Sequence, residues 1–152
     1  MIVELPDVAA TDDLARRLGA ALPAQPAGWT LLLEGELGAG KSTLARALIA
    51  STGHRGPVPS PTYTLVEPYD TARGMIYHID LYRISSPEEL HYLGWSELDD
   101  GLRLVEWPDR APGLVAQADL RVRLSYRGHG RTAQLEALSE RGGDLLTRLD
   151  PT

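Results

Sequence analysis

Apolar residues fall in short runs along this chain, and the spacing within each run predicts its element. Trp29-Thr30-Leu31-Leu32-Leu33-Glu34 is nearly continuous and short, which predicts a largely buried strand. Met75-Ile76-Tyr77-His78-Ile79-Asp80-Leu81 and Leu102-Arg103-Leu104-Val105-Glu106 predict two more. The stretch Asp119 to Arg127 alternates instead. Leu120, Val122, Leu124 and Tyr126 share one face, and Arg121, Arg123 and Arg127 the other. A turn at Gly128-His129-Gly130 and a return from Arg131 to Leu138 complete a hairpin. Leu14, Leu18 and Leu22 recur at helical spacing up to Pro23, with Thr11 as expected N-cap and Asp12 and Asp13 in the first turn. A second helix is expected from Ser42 to Thr52, with Leu44, Ala47 and Leu48 on one face and Gly53 as its stop. Met1 to Leu5 suits an edge strand, and Thr62 to Asp70 an extended segment closed by a turn at Thr71-Ala72-Arg73-Gly74. Ser86-Pro87-Glu88-Glu89 opens a short helix, and Gly142-Gly143 precedes a last one from Asp144 to Leu149. This order predicts an α/β fold in one domain over residues 1–152. Its central sheet is expected to be mostly parallel and flanked by helices, with an antiparallel hairpin near the C-terminus.

Composition narrows the chemistry. At 152 residues, with 43% hydrophobic and 24% charged residues, the chain has the balance of one globular domain. It has no cysteine, which excludes a disulfide-linked partner, a thiol nucleophile and cysteine-held metals. No apolar run approaches the ~18–20 residues of a membrane span. Met1 to Asp7 lacks the character of a secretion signal, so no membrane and a cytoplasmic location are expected. A net charge of −6 disfavours binding nucleic acid through the overall field. Arg121, Arg123, Arg127 and Arg131 fit a solvated ribbon face as well as they fit RNA. His54, His78, His91 and His129 show no metal-ligand spacing.

One motif carries specific chemistry. Gly35-Glu36-Leu37-Gly38-Ala39-Gly40-Lys41-Ser42 matches G-x-x-x-x-G-K-[ST], follows an apolar strand and opens a helix. Glycines let successive N–H groups turn inward onto phosphate oxygens, and the helix aims its positive end at the same place. Lys41 suits the β and γ phosphates, and the Ser42 hydroxyl suits Mg²⁺. The implied fold is that of a P-loop NTPase. Lys41 is the only lysine among 15 basic residues. Asp80 and Glu106 each end an apolar strand, where an acid on the metal side of such a cradle would lie. Their types alone leave open which one ligates the metal directly and which works through water. Ser60-Pro61-Thr62-Tyr63-Thr64 places Thr62 where a threonine can sense the γ-phosphate, although a proline-rich connector gives the same pattern. Guanine readers use an asparagine and a second lysine; the chain has neither, which favours ATP and ADP.

Four segments carry a family resemblance: residues 35–43, Ser-Pro-Thr-Tyr-Thr-Leu-Val at 60–66, His-Ile-Asp-Leu-Tyr-Arg at 78–83 and Val-Glu-Trp-Pro at 105–108. In this order and spacing they resemble the bacterial TsaE family, small ATPases of tRNA threonylcarbamoyladenosine biosynthesis. The resemblance runs from about Thr11 to Ala137. It implies ATP hydrolysis that supports a TsaB–TsaD complex, with tRNA engaged only indirectly. By position, it implies that Gly38, Ala39, Gly40, Lys41, Ser42 and Thr43 hold phosphate, with Ser42 and Glu106 at Mg²⁺. It likewise implies that Asp80, Glu106 and Thr62 act in hydrolysis, and that Trp107, Thr11 and Arg131 approach the nucleotide. Ile79 stands where the family often has phenylalanine, and Ser42 where it often has threonine; apolar packing and the hydroxyl are both kept. A small-molecule or nucleotide kinase is the alternative reading. It shares the P-loop and acids but needs an acceptor insert and a lid, and the segments after Asp80 and Glu106 are short.

Overall fold

The computed structural model describes residues 1–54 and 65–149. Its strands are β1 (Ile2–Leu5), β2 (Thr30–Gly35), β3 (Val66–Thr71), β4 (Gly74–Asp80), β5 (Gly101–Glu106), β6 (Leu120–Arg127) and β7 (Gly130–Ala137). Its α-helices are α1 (Val8–Ala21), α2 (Lys41–Ser51), α3 (Glu89–Tyr92) and α4 (Glu140–Leu149). Short 3₁₀ turns cover Trp95–Asp100, Pro108–Arg110 and Pro112–Gln117. The described strands form one sheet in the order β1-β7-β6-β2-β5-β4-β3.

The sheet is mixed, which corrects the expectation of a mostly parallel one. The centre is parallel: β6 with β2, β2 with β5, and β5 with β4. Both flanks are antiparallel: β1 with β7, β7 with β6, and β3 with β4. For β3 with β4 and for β6 with β7, the cause lies in the connections. Ala72 and Arg73 alone separate β3 from β4, and His129 lies in the equally short β6–β7 turn. A connection that short can only return the chain antiparallel, whereas a parallel pairing needs a crossover of about a dozen residues or more.

Strand alternation sorts the core into two layers. Leu31, Leu33, Ile76, Leu102, Leu104, Leu120, Val122 and Leu124 face α1, α2 and α4. Leu32, Tyr77, Ile79 and Val105 face the other way, where they pack with Leu81, Ile84, Trp95 and Leu114. His78 and Asp80 on β4, and Glu106 on β5, therefore project on the helical side. The register sets Asp80 directly beside Glu106, and Glu106 beside Leu33 of β2. Both acids thus lie at the carboxyl edge from which the chain leaves β2 for the glycine-rich loop.

Three helix starts differ from the expected ones by more than one residue. α3 begins only at Glu89, with Pro87 outside it. α1 begins before Thr11: Asp7 is its N-cap, and the Asp7 carboxylate accepts from the Ala10 amide at 2.9 Å. Thr11 lies inside the helix and is buried. α4 takes in Gly142 and Gly143 instead of following them. A Cβ on Gly142 would come within 1.8 Å of the Asp119 carbonyl, so the glycine lets the helix lie directly on the start of β6. Among the described residues, no helix is long and apolar enough to cross a membrane.

Candidate functional site

The loop between β2 and α2 owes its shape to its glycines. Gly35 has φ 151°, and a Cβ there would lie 2.6 Å from the Leu124 carbonyl oxygen. Gly38 has φ 79°, and its Cβ would lie 2.6 Å from the Tyr126 hydroxyl. Side chains at these positions would meet both strain and collision. The β6–β7 hairpin walls the loop on its outer side. The Tyr126 hydroxyl donates to the Leu37 carbonyl at 2.8 Å, and Arg131 Nη2 donates to the Gly38 carbonyl at 3.2 Å. The Arg131 guanidinium stacks on the Tyr126 ring at 4.2 Å. Gly40, in a left-handed conformation, caps α2, so Lys41 and Ser42 open that helix. Their amides have no carbonyl one turn earlier in the helix, which leaves the donor-rich, positive end of α2 at the loop.

Lys41 is buried, and its amine donates to the Gly35 carbonyl and, at 3.3 Å, to the Glu36 carbonyl. The Trp107 ring covers the amine at 3.8 Å. Burial pushes the Lys41 ammonium below the usual lysine range, against the opposing attraction of Glu106, Asp80 and Asp109. Trp107 is the one described non-glycine residue with positive φ, at 57°. That backbone is costly for a bulky residue, and here it places the indole between Lys41 and Tyr82, whose ring lies 4.9 Å away.

The acids complete the cleft. Ser42 Oγ donates to the Glu106 carboxylate, 3.0 Å from each oxygen. His78 Nε2 lies 2.5 Å from Glu106 Oε2, and both side chains are buried. Asp80 Oδ1 accepts from the Tyr82 amide at 2.9 Å. Burial raises the Asp80 carboxyl above its ordinary range; the Tyr82 amide opposes that shift, and the neighbouring Glu106 adds to it. The cleft measures about 450 Å³. Gly38, Gly40, Lys41, Ser42, Thr43, Asp80, Glu106 and Trp107 line it, so most of the expected residues meet there.

Three expected residues lie elsewhere. Thr11 and Arg131 line a second cavity of 180 Å³ on the far side of the loop, which shares Gly38, Gly40 and Thr43 with the first. Ala39 packs into the core beneath the loop. Thr62 lies outside the described residues. Sequence reasoning passed over Tyr82, Tyr126 and His78. For His78 a signal existed: it stands two residues before Asp80, on the same face of one strand.

A hard cation suits this donor set. Ser42, Glu106 and Asp80 offer only oxygens. Among the described residues, no group of three or more histidines, cysteines or acids would hold a metal alone. Mg²⁺ is commonly held that way, by one or two carboxylates together with substrate phosphates.

Fold and site define a class: mixed α/β proteins in which a glycine-rich loop, a buried lysine and two strand-end carboxylates share one cleft. Within that class, the chain belongs to the TsaE family. The family model described as "Threonylcarbamoyl adenosine biosynthesis protein TsaE" matches residues 5–134. The chain is 43% identical over 117 residues to the tRNA threonylcarbamoyladenosine biosynthesis protein TsaE of Haemophilus influenzae, covering 76% of this chain and 74% of that one. It is 35% identical over 148 residues to the protein of the same name from Nostoc sp., covering 93% and 89%. The crystal structure of Bacillus subtilus YdiB shares the fold, with a TM-score of 0.75 and 24% identity over 98% of this chain and 93% of that one.

Proposed function

We propose that this chain is a P-loop ATPase that binds ATP with Mg²⁺ and hydrolyses it slowly, in support of a TsaB–TsaD complex that modifies adenosine in tRNA. One observation carries the reading: Lys41 and Ser42 open a helix behind a glycine-rich loop, with Asp80 and Glu106 at the ends of adjacent parallel strands in the same cleft. The relatives' shared name, in tRNA threonylcarbamoyladenosine biosynthesis, supports the biological role. The loop amides and Lys41 would bind the phosphates. Ser42 and Glu106 would hold Mg²⁺, which when bound supplies charge neutralisation at the phosphates. Asp80, with its raised proton affinity and its orientation set by the Tyr82 amide, would position the attacking water. The described segments after Asp80 and Glu106 fold as α3 and short 3₁₀ turns that pack onto the second face of the sheet. That use of them favours hydrolysis over a kinase's acceptor pocket.

Phosphate release from ATP tests the roles of the two acids. Asp80→Ala and Glu106→Ala should each slow hydrolysis by roughly 10²-fold or more while retaining much of the ATP affinity. An acid whose alanine variant turns over at the parent rate has no part in the reaction.

A further inference from the structure

His78 does not line the cleft, yet its ring is fully buried against Glu106. If Glu106 is the carboxylate, it has no proton to give, and the proton in the His78–Glu106 bond sits on Nε2. In a neutral ring Nδ1 is then a bare acceptor, and it is buried with no hydrogen-bond partner among the described residues. An unmet buried polar atom is costly. Across the sheet His78 pairs with Leu104 of β5 on one side and Glu67 of β3 on the other, and the buried Nδ1 bonds to neither. The bond to Glu106, not packing, accounts for an imidazole here.

We infer that His78 is a positioning residue for this site. Its Nε2–H holds Glu106 Oε2 from the sheet side, while the Ser42 hydroxyl meets the same carboxylate from α2. The carboxylate is thereby pinned from two elements. The last torsion of a glutamate is broad and roughly two-fold, so without the imidazole only the Ser42 hydroxyl, equidistant from both oxygens, restrains them. Partners of this kind behind metal-binding groups are worth roughly 10–100-fold in metal affinity. The inference rests on the reading of the cleft as a Mg²⁺–nucleotide site.

Two measurements on the full chain decide it. In ¹⁵N NMR of the ligand-free protein, His78 should carry its proton on Nε2. A ring protonated only on Nδ1 overturns the proposal, whatever the cleft binds. Calorimetry of ADP binding in EDTA and in Mg²⁺ gives the second. His78→Leu should keep the parent affinity in EDTA and lose roughly 10–100-fold in apparent Mg²⁺ affinity. His78→Gln, whose side-chain amide can donate in place of Nε2, should recover most of it. Unchanged Mg²⁺ affinity in His78→Leu, or an equal loss with and without Mg²⁺, overturns the positioning role alone. A parent chain that binds no ADP in either condition overturns the nucleotide reading and this inference with it. The NMR result needs no variant, so it can still overturn the proposal if His78→Leu does not fold, and His78→Gln then carries the Mg²⁺ comparison.

Discussion

Lys41 concentrates the residue-scale chemistry of the cleft. Its amine is held by two loop carbonyls and covered by the Trp107 indole, within the electrostatic reach of Asp80 and Glu106. A charge-assisted hydrogen bond to a phosphate oxygen is worth roughly 1.5–3 kcal/mol, about ten- to a hundredfold in affinity. Under the proposed function, Lys41→Ala should therefore weaken ATP binding by about that factor, measured by calorimetry, with the circular dichroism spectrum unchanged. Unaltered affinity would remove Lys41 from the phosphate site. The sequence made Lys41 and Ser42 legible because a phosphate cradle is a local device, with its residue types at fixed offsets. Asp80 and Glu106 were legible as strand ends, but only the register sets them side by side. Tyr126 shows where local pattern stops. Alternation puts it on the apolar face, yet it is 49% exposed and its hydroxyl anchors the loop through Leu37, 89 residues earlier.

At the scale of elements, Asp119 ties β2, β6 and α4 together. Its carboxylate accepts from the Thr30 amide at 3.0 Å, from Ser139 Oγ at 2.7 Å and from Arg141 Nε at 2.7 Å. Burial pushes the Asp119 carboxyl up, but bonds from Arg141, Ser139 and Thr30 together outweigh it and hold the group below its ordinary range. A depressed folded-state value means stability that is fully present above the unfolded value of 3.8 and lost as pH falls through the folded one. Asp119→Asn should lower the midpoint of thermal unfolding at pH 7 by roughly 3–12 °C. The gap between parent and variant should narrow as pH falls below 3.8. A gap that stays constant down to the acid transition would show that the charge contributes nothing. The same junction explains why the start of α4 was misplaced. Two adjacent glycines read locally as a helix boundary, but Gly142 serves close contact with Asp119, a partner 23 residues earlier. α1 was misread for the opposite reason: Thr11 and Asp7 are both good caps, and the apolar stripe that favours Thr11 begins only at Leu14. The two tight turns that make the sheet mixed were both visible as turns. What the chain did not display was that β1, from the opposite end of the sequence, would add antiparallel to β7.

At the scale of the whole molecule, the proposed dependence on a partner is weighed by where positive charge lies. Lys41 is the buried cation of the cleft, while Arg46 and Arg83 line it as exposed side chains. Arg131 is engaged on the far side of the loop with Gly38 and Tyr126. Stabilising a phosphoryl-transfer transition state requires donors that are already aimed and shielded from water. An exposed guanidinium is not shielded from water. The rim of the cleft also exposes apolar surface, with Leu37 66% and Tyr82 41% accessible, which a protein contact would cover. A partner closing over this rim could shield Arg46 or Arg83 from water, or supply an arginine of its own. Such an arginine is worth roughly 10³–10⁵ in rate. Under the proposed function, single-turnover hydrolysis of ATP should be slow for the chain alone and accelerate by a large factor when TsaB–TsaD is present in excess. Arg46→Ala and Arg83→Ala then separate the sources. If one of these arginines acts in cis once shielded, its variant should lose the acceleration while keeping the slow basal rate. If both variants are accelerated like the parent, the cation comes from the partner. A chain that turns over alone as fast as in the assembly would need neither, and a self-sufficient ATPase or kinase would then be the better description.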